Sequence, residues 1–357
     1  MAYKVGMIIG SLIGGGTQKI VETLANTMSD LGHEVVIFTL KGEVEIPAGL
    51  RARVYPLRGR SLAQKKAEIR AYIAPGGEVG PLDLMLTHGY EGYRVMEGVD
   101  GVKCRHVVHN AYDVRAVTEL KRLKIFTFVR KYLKYRSVFQ NKKIVTASKG
   151  IADGLIRRLG VRPENVQTIY NPFVVDHIRR LGAEPAELPA EQYIIHVGSF
   201  IGLKRHDLLL KAYAKIQTPV RLVLMGKGPL KKKMIGLAKE LGIADRIDFL
   251  PWQNNPYPHI KNAKLLVLSS DSEGLPTVLI EALILGTPVV STDCPYGPAE
   301  ILTGELARFL VPRNDAVALA AAMSDALGNP PHITDAMVGK FDHRFAVERY
   351  LDLIKAQ

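Results

Sequence analysis

The stretch KVGMIIGSLIGGGTQKIVETLANTMSDLGHEVVIFTL, residues 4–40, decides the fold class of this protein. It begins with a short apolar run that stops at a glycine-rich loop, and it ends with a second apolar run over residues 33–40. Between these runs the apolar residues recur at helical spacing, which predicts an amphipathic helix. A strand, a helix and a second strand in this order predict two parallel strands joined by the helix.

The same alternation continues along the chain, and one stretch divides it into two series. RRLGAEPAELPAEQ, residues 179–192, has no periodicity and contains two prolines, as is typical of an interdomain linker. A second strand–helix series begins at YIIHVGSF, residues 193–200. We therefore predict an α/β protein with two tandem doubly wound Rossmann-like domains that face each other across a cleft. In such sheets ligands bind at the carboxyl ends of the strands.

The predicted domain boundaries follow from this change in the sequence pattern. They are an N-terminal domain at 1–180, a linker at 181–191, a C-terminal domain at 192–340 and a C-terminal helix at 341–357. The sequence does not say where that last helix docks. A chain of 357 residues is also too long for one ordinary core and fits two domains.

The composition excludes several classes of protein. No apolar run is long enough to span a bilayer, and the N-terminal residues lack the long apolar core of a signal peptide. The two cysteines, Cys104 and Cys294, fall in different predicted domains, which indicates a reducing compartment and no disulfide framework. The net charge of +13 calls for an anionic partner, and charge alone does not choose among nucleic acid, membrane and ligand.

The start of one C-terminal helix is a candidate phosphate site. In DSEGLPTVLIEALILG, residues 271–286, Leu275 lies in a turn and Pro276 suits the first helical position. The free N–H groups of Thr277 and Val278 point out of the helix N-terminus, where the helix dipole favours an anion.

Two carboxylates flank this phosphate site. Glu281 lies about one turn into the helix, where it can accept two hydrogen bonds from a vicinal diol such as a ribose. Glu273, on the preceding loop, would project to the other side of a bound phosphate. This spacing matches a nucleotide-sugar. The alternative is that Glu273 is a solvated loop acid and that Glu281 pairs with a basic residue.

These residues carry a family resemblance. EGLPTVLIE, residues 273–281, resembles the Glu-x7-Glu motif of the family 4 glycosyltransferases, retaining enzymes of the GT-B fold that use nucleotide-sugars. The similarity also covers residues 13–35, 196–209, 254–270 and 286–302. It implies that Glu281 binds the donor ribose and that Glu273 binds hydroxyls of the transferred sugar. It also implies that the N-terminal domain binds the acceptor and the C-terminal domain the nucleotide-sugar.

A second candidate element is VGSFIGLKRHD, in which a predicted strand ends at Gly198. Lys204 and Arg205 open the following helix, and two cations there would neutralise a diphosphate leaving group. The family usually has an arginine directly after the glycine and a lysine five residues later. Lys204 matches the second position, but Ser199 occupies the first. We hypothesise that Arg205 supplies the missing charge; the alternative is a solvated helix start.

Three further positions are weaker candidates. Gly15 and Gly16 do not complete a dinucleotide-binding motif, but small residues there would let the main chain approach the donor phosphates or the acceptor. By resemblance His109 would contact the donor sugar, and the main chain near Trp252 would face the base. Structural roles are the alternative for His109, as a hydrogen-bonding group at a strand end, and for Trp252, as a core residue.

The segment ELKRLKIFTFVRKYLKYR, residues 119–136, mixes cations with aromatic residues. Such a helix suits an anionic membrane surface or an anionic lipid acceptor. The candidate contacts are Lys121, Arg122, Lys124, Arg130, Lys131 and Lys134. RNA binding would use similar residues, and a solvated helix with an aromatic core face is the remaining alternative.

Together these features predict a hexosyl- or N-acetylhexosaminyltransferase. It would move a sugar, with retained configuration, from a nucleotide-diphosphate donor to a lipid-linked or lipopolysaccharide-type acceptor. The resemblance favours a UDP-sugar and the cytoplasmic, inner face of the cell membrane. No Asp-x-Asp pair or zinc-ligand spacing is present, so we expect no metal and no cofactor.

Two other functions stay open from the sequence. A nucleotide-sugar epimerase of the same fold would form product without an acceptor. A basic nucleic-acid-binding protein would bind RNA or DNA with a steep salt dependence. The chain has no RNA-binding signature, so we expect no nucleic-acid partner.

Overall fold

The computed structural model describes residues 2–13, 15–41, 45–112 and 125–355. The chain forms two compact units, Met1–Phe173 with Phe341–Gln357 and Val174–Lys340, called unit 1 and unit 2 below. Each unit has a parallel sheet covered by helices. The predicted α/β class with two doubly wound domains is confirmed.

Unit 1 contains a seven-stranded parallel sheet in the order β3-β2-β1-β4-β5-β6-β7. The strands are β1 Lys4–Ile9, β2 Glu34–Thr39, β3 Arg53–Pro56, β4 Leu84–His88, β5 Cys104–Val108, β6 Ile144–Thr146 and β7 Val166–Thr168. The described helices are Gly16–Asp30, Leu62–Ile73, Tyr90–Val95, Ile125–Phe139, Lys149–Leu159 and His343–Lys355. The strand order reverses between β1 and β4, which is the mark of a doubly wound sheet.

Unit 2 contains a six-stranded parallel sheet in the order β10-β9-β8-β11-β12-β13. The strands are β8 Tyr193–Val197, β9 Arg221–Met225, β10 Ile247–Leu250, β11 Leu265–Leu268, β12 Val289–Thr292 and β13 Leu310–Val311. The helices are Val175–Gly182, His206–Tyr213, Lys231–Glu240, Tyr257–Lys261, Thr277–Ile284, Pro298–Ile301 and Ala316–Gly328. Over both units, short 3₁₀ helices occur at Pro163–Asn165, Gly202–Lys204, Ala244–Arg246, Gly304–Phe309, Asp335–Met337 and Gly339–Phe341.

The core of unit 1 explains where the last helix docks. Side chains alternate along β1, so that Met7 faces one layer of helices and Ile8 the other. Val347 and Tyr350 of the last helix are buried in the same cluster as Met7. The main chain is fastened there by a hydrogen bond of 2.9 Å from Phe173 N to Phe341 O. Residues 341–357 therefore complete unit 1 and do not stand apart.

The chain passes from unit 1 to unit 2 after Phe173, which is earlier than the domain boundary predicted at residue 180. The helix Val175–Gly182 belongs to unit 2 and buries Ile178. The main chain at Gly182 is so close to Leu285 that an added Cβ would lie 2.5 Å from its Cδ2. The absence of periodicity in residues 179–192 predicts a linker over the whole stretch. Its first turn, however, completes an amphipathic helix that packs on unit 2.

Candidate active site

Three loops extend from neighbouring strand ends of unit 2 and meet there. They are called the β8 loop, the β9 loop and the β11 loop, residues 198–205, 226–230 and 269–276. The β8 loop is bound to the β9 loop by a hydrogen bond of 2.9 Å from Phe200 N to Lys227 O. It is bound to the β11 loop by one of 2.8 Å from Asp271 N to Leu203 O. The strand order of unit 2 thus joins three loops that are far apart in sequence.

Glycines allow the β8 and β9 loops to pack main chain against main chain. A Cβ on Gly226 would lie 2.0 Å from the carbonyl oxygen of Gly198. Gly228 has a φ of 151°, and a Cβ there would lie 2.7 Å from the main chain of Phe200. A side chain at either position would force the loops apart. The predicted donor-binding residues Gly198 and Ser199 lie at this contact, with Ser199 exposed.

Lys204, predicted to neutralise the leaving group, and Glu273, predicted to bind the transferred sugar, form one ion pair. Lys204 Nζ donates to Glu273 Oε1 over 2.7 Å, across 69 positions of sequence. Ser270 Oγ donates to the same oxygen over 2.6 Å. The Lys204 and Glu273 side chains are 21% and 13% exposed, so the pair is largely shielded but still reachable by a ligand. The sequence predicts a role for each of these groups at the donor but does not predict that they pair.

Arg205 does not supply a free cation. Its guanidinium binds the carboxylate of Asp207 at 3.0 and 3.1 Å and that of Asp271 at 3.0 and 3.3 Å, and it also donates to the amide oxygen of Asn314. The hydrogen bonds that Arg205 donates to Asp207 are the main cause of its raised pKa. These contacts speak against the hypothesis that Arg205 replaces the cation missing at Ser199. They indicate that it holds the β8 and β11 loops together.

The predicted anion-binding helix is present as Thr277–Ile284. Among the described residues no side chain caps its N-terminus, which begins after Pro276. The N–H groups of Thr277 and Val278 precede the intrahelical hydrogen bonds. Leu275 is buried, and its Cα would lie 2.9 Å from a Cβ on Gly297. The helix start is therefore fixed in place with donors available to an anion.

Glu281 has a partner that the sequence did not reveal. Tyr257 O–H donates to Glu281 Oε1 over 3.2 Å. Tyr257 is almost fully buried, and its pKa is raised first by that burial and then by the Glu281 carboxylate. The hydroxyl therefore stays protonated and acts as a donor. The only sequence signal was the resemblance of NNPYPHIKN, which gave no role to this tyrosine.

Trp252 is not a core residue. Its side chain is 43% exposed and borders a cavity of about 850 Å³ in unit 2. The same cavity is lined by residues 184–191, which belong to the stretch predicted to be a linker. Asn255 Nδ2 anchors the start of this stretch by donating hydrogen bonds to Leu181 O and Glu184 Oε2. The alternative of a buried tryptophan is wrong, and the role beside the base stays a prediction.

In unit 1 the predicted site residue His109 is stacked on a second histidine. His109 Nε2 and His88 Nδ1 are 2.9 Å apart, and the rings are stacked with centroids at 5.2 Å. Burial lowers the pKa of His109 to about 4 and that of His88 well below its usual value. Both rings are therefore neutral near pH 7. Gly15, with a φ of 136°, and Gly16 begin the helix Gly16–Asp30 in the same unit.

The buried histidines predict a loss of stability in mild acid. The pKa of His106 is lowered to about 3 and those of His109 and His206 to about 4, in each case mainly by burial. Above pH 6.5 these rings are neutral in the folded and the unfolded chain. As the pH falls from 6.5 towards 4 only the unfolded chain gains protons, so its free energy drops by up to about 1.4 kcal/mol per pH unit for each ring.

Urea unfolding at pH 7, 6 and 5 measures this effect. We expect His109→Asn to lose part of the pH dependence and the exposed control His332→Asn to keep it. Identical pH slopes for the two variants would show that His109 takes up a proton in the folded protein.

The helix Ile125–Phe139 presents apolar and basic side chains together. Lys121, Arg122 and Lys124 lie outside the described residues. Ile125, Phe126, Val129 and Leu133 are exposed, at 62%, 83%, 43% and 57% respectively. Arg130, Lys131 and Lys134 line a cavity of about 390 Å³ beside Tyr135. The buried Tyr135 and Phe139 give this helix an aromatic core face, as the solvated-helix alternative expects, and its exposed apolar side chains accompany the cations that the membrane hypothesis needs.

Comparisons with known proteins assign the family. The family model described as Glycosyltransferase Family 4 matches residues 14–177, and that described as Glycosyl transferases group 1 matches residues 182–341. A glycosyltransferase from Rickettsia africae superposes with a TM-score of 0.76 at 16% identity, covering 99% of this chain and 98% of that one. Anabaena HepE, solved with UDP and glucose, superposes with a TM-score of 0.77 at 14% identity, covering 99% and 100%. The fold is the GT-B fold, and the chain belongs to the family 4 glycosyltransferases.

Curated relatives share part of their length with this chain. A Campylobacter jejuni N-acetylgalactosaminyltransferase, named for an N-acetylgalactosamine-N,N'-diacetylbacillosaminyl-diphospho-undecaprenol substrate, is 32% identical over 158 residues. That match covers 44% of this chain and 43% of the relative. The lipopolysaccharide 1,6-galactosyltransferase of Salmonella typhimurium is 28% identical over 216 residues, 58% of this chain and 57% of the relative. The chain thus spans about half the length of these two relatives.

Proposed function

We propose that this protein transfers a hexosyl or N-acetylhexosaminyl group, with retained configuration, from a UDP-sugar to a lipid-linked or lipopolysaccharide-type saccharide. The observation that carries the proposal is the placement of three groups on unit 2. The Lys204–Glu273 ion pair lies on loops that are bound to each other, and the β11 loop leads directly into the helix that carries Glu281.

These groups would contact the donor one after another along its length, from the ribose to the transferred sugar. Glu281, oriented by Tyr257, accepts hydrogen bonds from the ribose hydroxyls. The diphosphate meets the N–H groups of Thr277 and Val278. Lys204 then exchanges part of its contact with Glu273 for the diphosphate, and Glu273 is left to accept hydrogen bonds from the sugar. Fixed donors aimed at the charge that develops on the leaving group lower the barrier.

The chemical step would need no protein base. The acceptor oxygen forms a bond to the anomeric carbon as the bond to the diphosphate oxygen breaks. The acceptor's proton passes to that departing oxygen, on the same face of the sugar, so the configuration is retained. The neutral His109–His88 pair would serve as a hydrogen-bonding group for a sugar hydroxyl, not as a cation.

We also propose that the reaction needs no metal ion. The support is that a lysine ammonium and the N–H groups at a helix start can stabilise a diphosphate. Full activity after exhaustive treatment with EDTA would agree with this, and restoration only by Mg²⁺ or Mn²⁺ would contradict it.

The acceptor and the location are inferred from the relatives' names and the exposed helix of unit 1. The Campylobacter relative is named for a diphospho-undecaprenol acceptor and the Salmonella relative for lipopolysaccharide. Among the described residues no helix is long and apolar enough to cross a bilayer. We propose that the helix Ile125–Phe139 holds the protein peripherally at the inner, cytoplasmic face of the membrane.

A transfer assay tests the function. The protein is incubated with a panel of UDP-, GDP- and ADP-sugars, with and without undecaprenyl-diphosphate-linked saccharides or lipopolysaccharide core. We expect an acceptor-dependent product whose new linkage, determined by NMR, has the anomeric configuration of the donor. An inverted linkage would exclude the retaining mechanism, and a changed sugar without acceptor would indicate an epimerase. RNA binding with a steep salt dependence and no effect of UDP would point to a nucleic-acid partner instead.

The membrane proposal predicts weaker vesicle binding when the basic helix loses charge. Replacing Arg130, Lys131 and Lys134 together by Ser should lower partitioning onto phosphatidylglycerol vesicles about a hundredfold, since each cation near an anionic surface contributes about 1 kcal/mol. The matched control replaces three exposed lysines of the unit 2 helix Lys231–Glu240 by Ser: Lys232, Lys233 and Lys239. Equal loss in the two triple variants, measured by co-sedimentation, would show that overall charge and not this helix binds the membrane.

A further inference from the structure

Both cations of the β8 loop are already paired with carboxylates. Lys204 is paired with Glu273, and Arg205 is held between Asp207 and Asp271. These five side chains together carry a net negative charge. A diphosphate adds further negative charge, so a cation that is not yet neutralised would strengthen its binding beside Lys204 and the helix N–H groups.

Other cations around the same strand ends are held by main-chain oxygens. Lys231 Nζ donates to Phe249 O over 3.3 Å, and Arg313 Nη1 donates to Asp271 O over 3.1 Å. Lys227 differs from both. It is exposed, and within the described part of the chain its ammonium makes neither a hydrogen bond nor an ion pair.

The main chain of Lys227 is fixed beside the β8 loop. Its carbonyl accepts the 2.9 Å hydrogen bond from Phe200 N, and Leu230 N donates to Phe200 O over 3.0 Å. The residues before and after Lys227 are the glycines whose main chains touch Gly198 and Phe200. The main chain of Lys227 is therefore held in a defined position next to the exposed Ser199. Its two neighbours in the chain are glycines, so no adjacent side chain covers the lysine side chain.

We propose that Lys227 binds the diphosphate of the nucleotide donor and supplies the positive charge that Arg205 does not. This inference rests on the proposed function, because it assumes a nucleoside-diphosphate ligand at the strand ends. A long, flexible lysine stem allows the ammonium to reach a phosphate that arrives beside Ser199. Lys227 is then a donor-binding residue, while Arg205 is a positioning residue for the β8 loop.

Binding measurements on the full chain test the proposal. Affinities of UDP and of uridine, which carries no phosphate, are measured by calorimetry and by ligand-observed NMR. Lys227→Ala should weaken UDP binding about tenfold, as expected for loss of a charge-assisted hydrogen bond, and leave uridine binding unchanged. Lys227→Arg should retain most of the affinity for UDP. The controls are Lys232→Ala, an exposed lysine on the following helix, and Arg313→Ala.

The outcomes separate this proposal from the proposed function. A wild-type protein that binds none of UDP, GDP and ADP would overturn both. A wild-type protein that binds UDP, with Lys227→Ala binding it equally well, would overturn only the assignment of Lys227. Parallel losses for UDP and uridine would mean that the loop had changed shape, which also overturns it. A tenfold loss in Arg313→Ala but not in Lys227→Ala would assign the charge to Arg313.

Discussion

Glu281→Ala should abolish the rise in melting temperature that saturating UDP gives to the wild-type protein. A ligand that binds only the folded state raises its stability according to the occupancy of the site. Loss of two hydrogen bonds from the ribose to a carboxylate should weaken UDP binding by a factor of about a hundred or more. At a fixed UDP concentration the site would then be nearly empty.

Two further variants locate this effect in the Glu281 carboxylate. Tyr257→Phe keeps the aromatic ring but removes the donor to Glu281 Oε1, so we expect an intermediate loss of about fivefold. Glu305→Ala, at an exposed position of the same unit, should bind UDP as the wild type does. Circular dichroism and the melting temperature without ligand show whether each variant folds. A folded Glu281→Ala variant with the full UDP shift would end the ribose assignment.

Lys204→Ala should lower kcat by about a thousandfold. Removal of one fixed donor from the charge that develops in a transition state typically costs a factor of about 10²–10³. In this protein a second effect adds to the loss, because the partly buried Glu273 Oε1 would lose its lysine donor and keep the hydrogen bond from Ser270. Its carboxylate could then repel the leaving diphosphate.

Initial rates with saturating donor and acceptor measure this loss. Lys215→Ala, an exposed lysine after the helix His206–Tyr213, is the matched control and should keep the wild-type rate. Glu273→Gln removes the negative charge of the same pair, and we expect it to lower kcat as well, since an amide binds sugar hydroxyls less strongly than a carboxylate. If Lys204→Ala stays within a factor of about three of wild type, the leaving-group role of Lys204 is excluded.

The local structure of the candidate site could be predicted from the sequence. The predicted helix that begins near Pro276 and carries Glu281 is observed as Thr277–Ile284. Its start follows from the turn residues and Pro276, and its end follows from Gly286, which has a φ of 80°. The strand–helix alternation likewise predicted two parallel sheets. These features depend on residues close together in the chain, so periodicity and turn chemistry are sufficient to show them.

Pairings between distant segments could not be predicted in this way. Tyr257 meets Glu281 across 24 positions, and His88 meets His109 across 21, because neighbouring strands and helices bring them together. The same cause pairs Lys204 with Glu273 and places Arg205 between carboxylates, which removed it as a candidate countercharge. Nothing in the local pattern states which side chain from another loop will lie opposite.

The amino-acid sequence by itself determined the fold class, the family and the residue types at the carboxyl ends of the strands. Only the tertiary structure decided which of those charges are neutralised and where the last helix packs. The physical reason is that strand order in a parallel sheet differs from chain order, as β11 lies beside β8 in unit 2. Contacts between such loops, and hence the charge that a ligand meets, exist only once the sheet has formed.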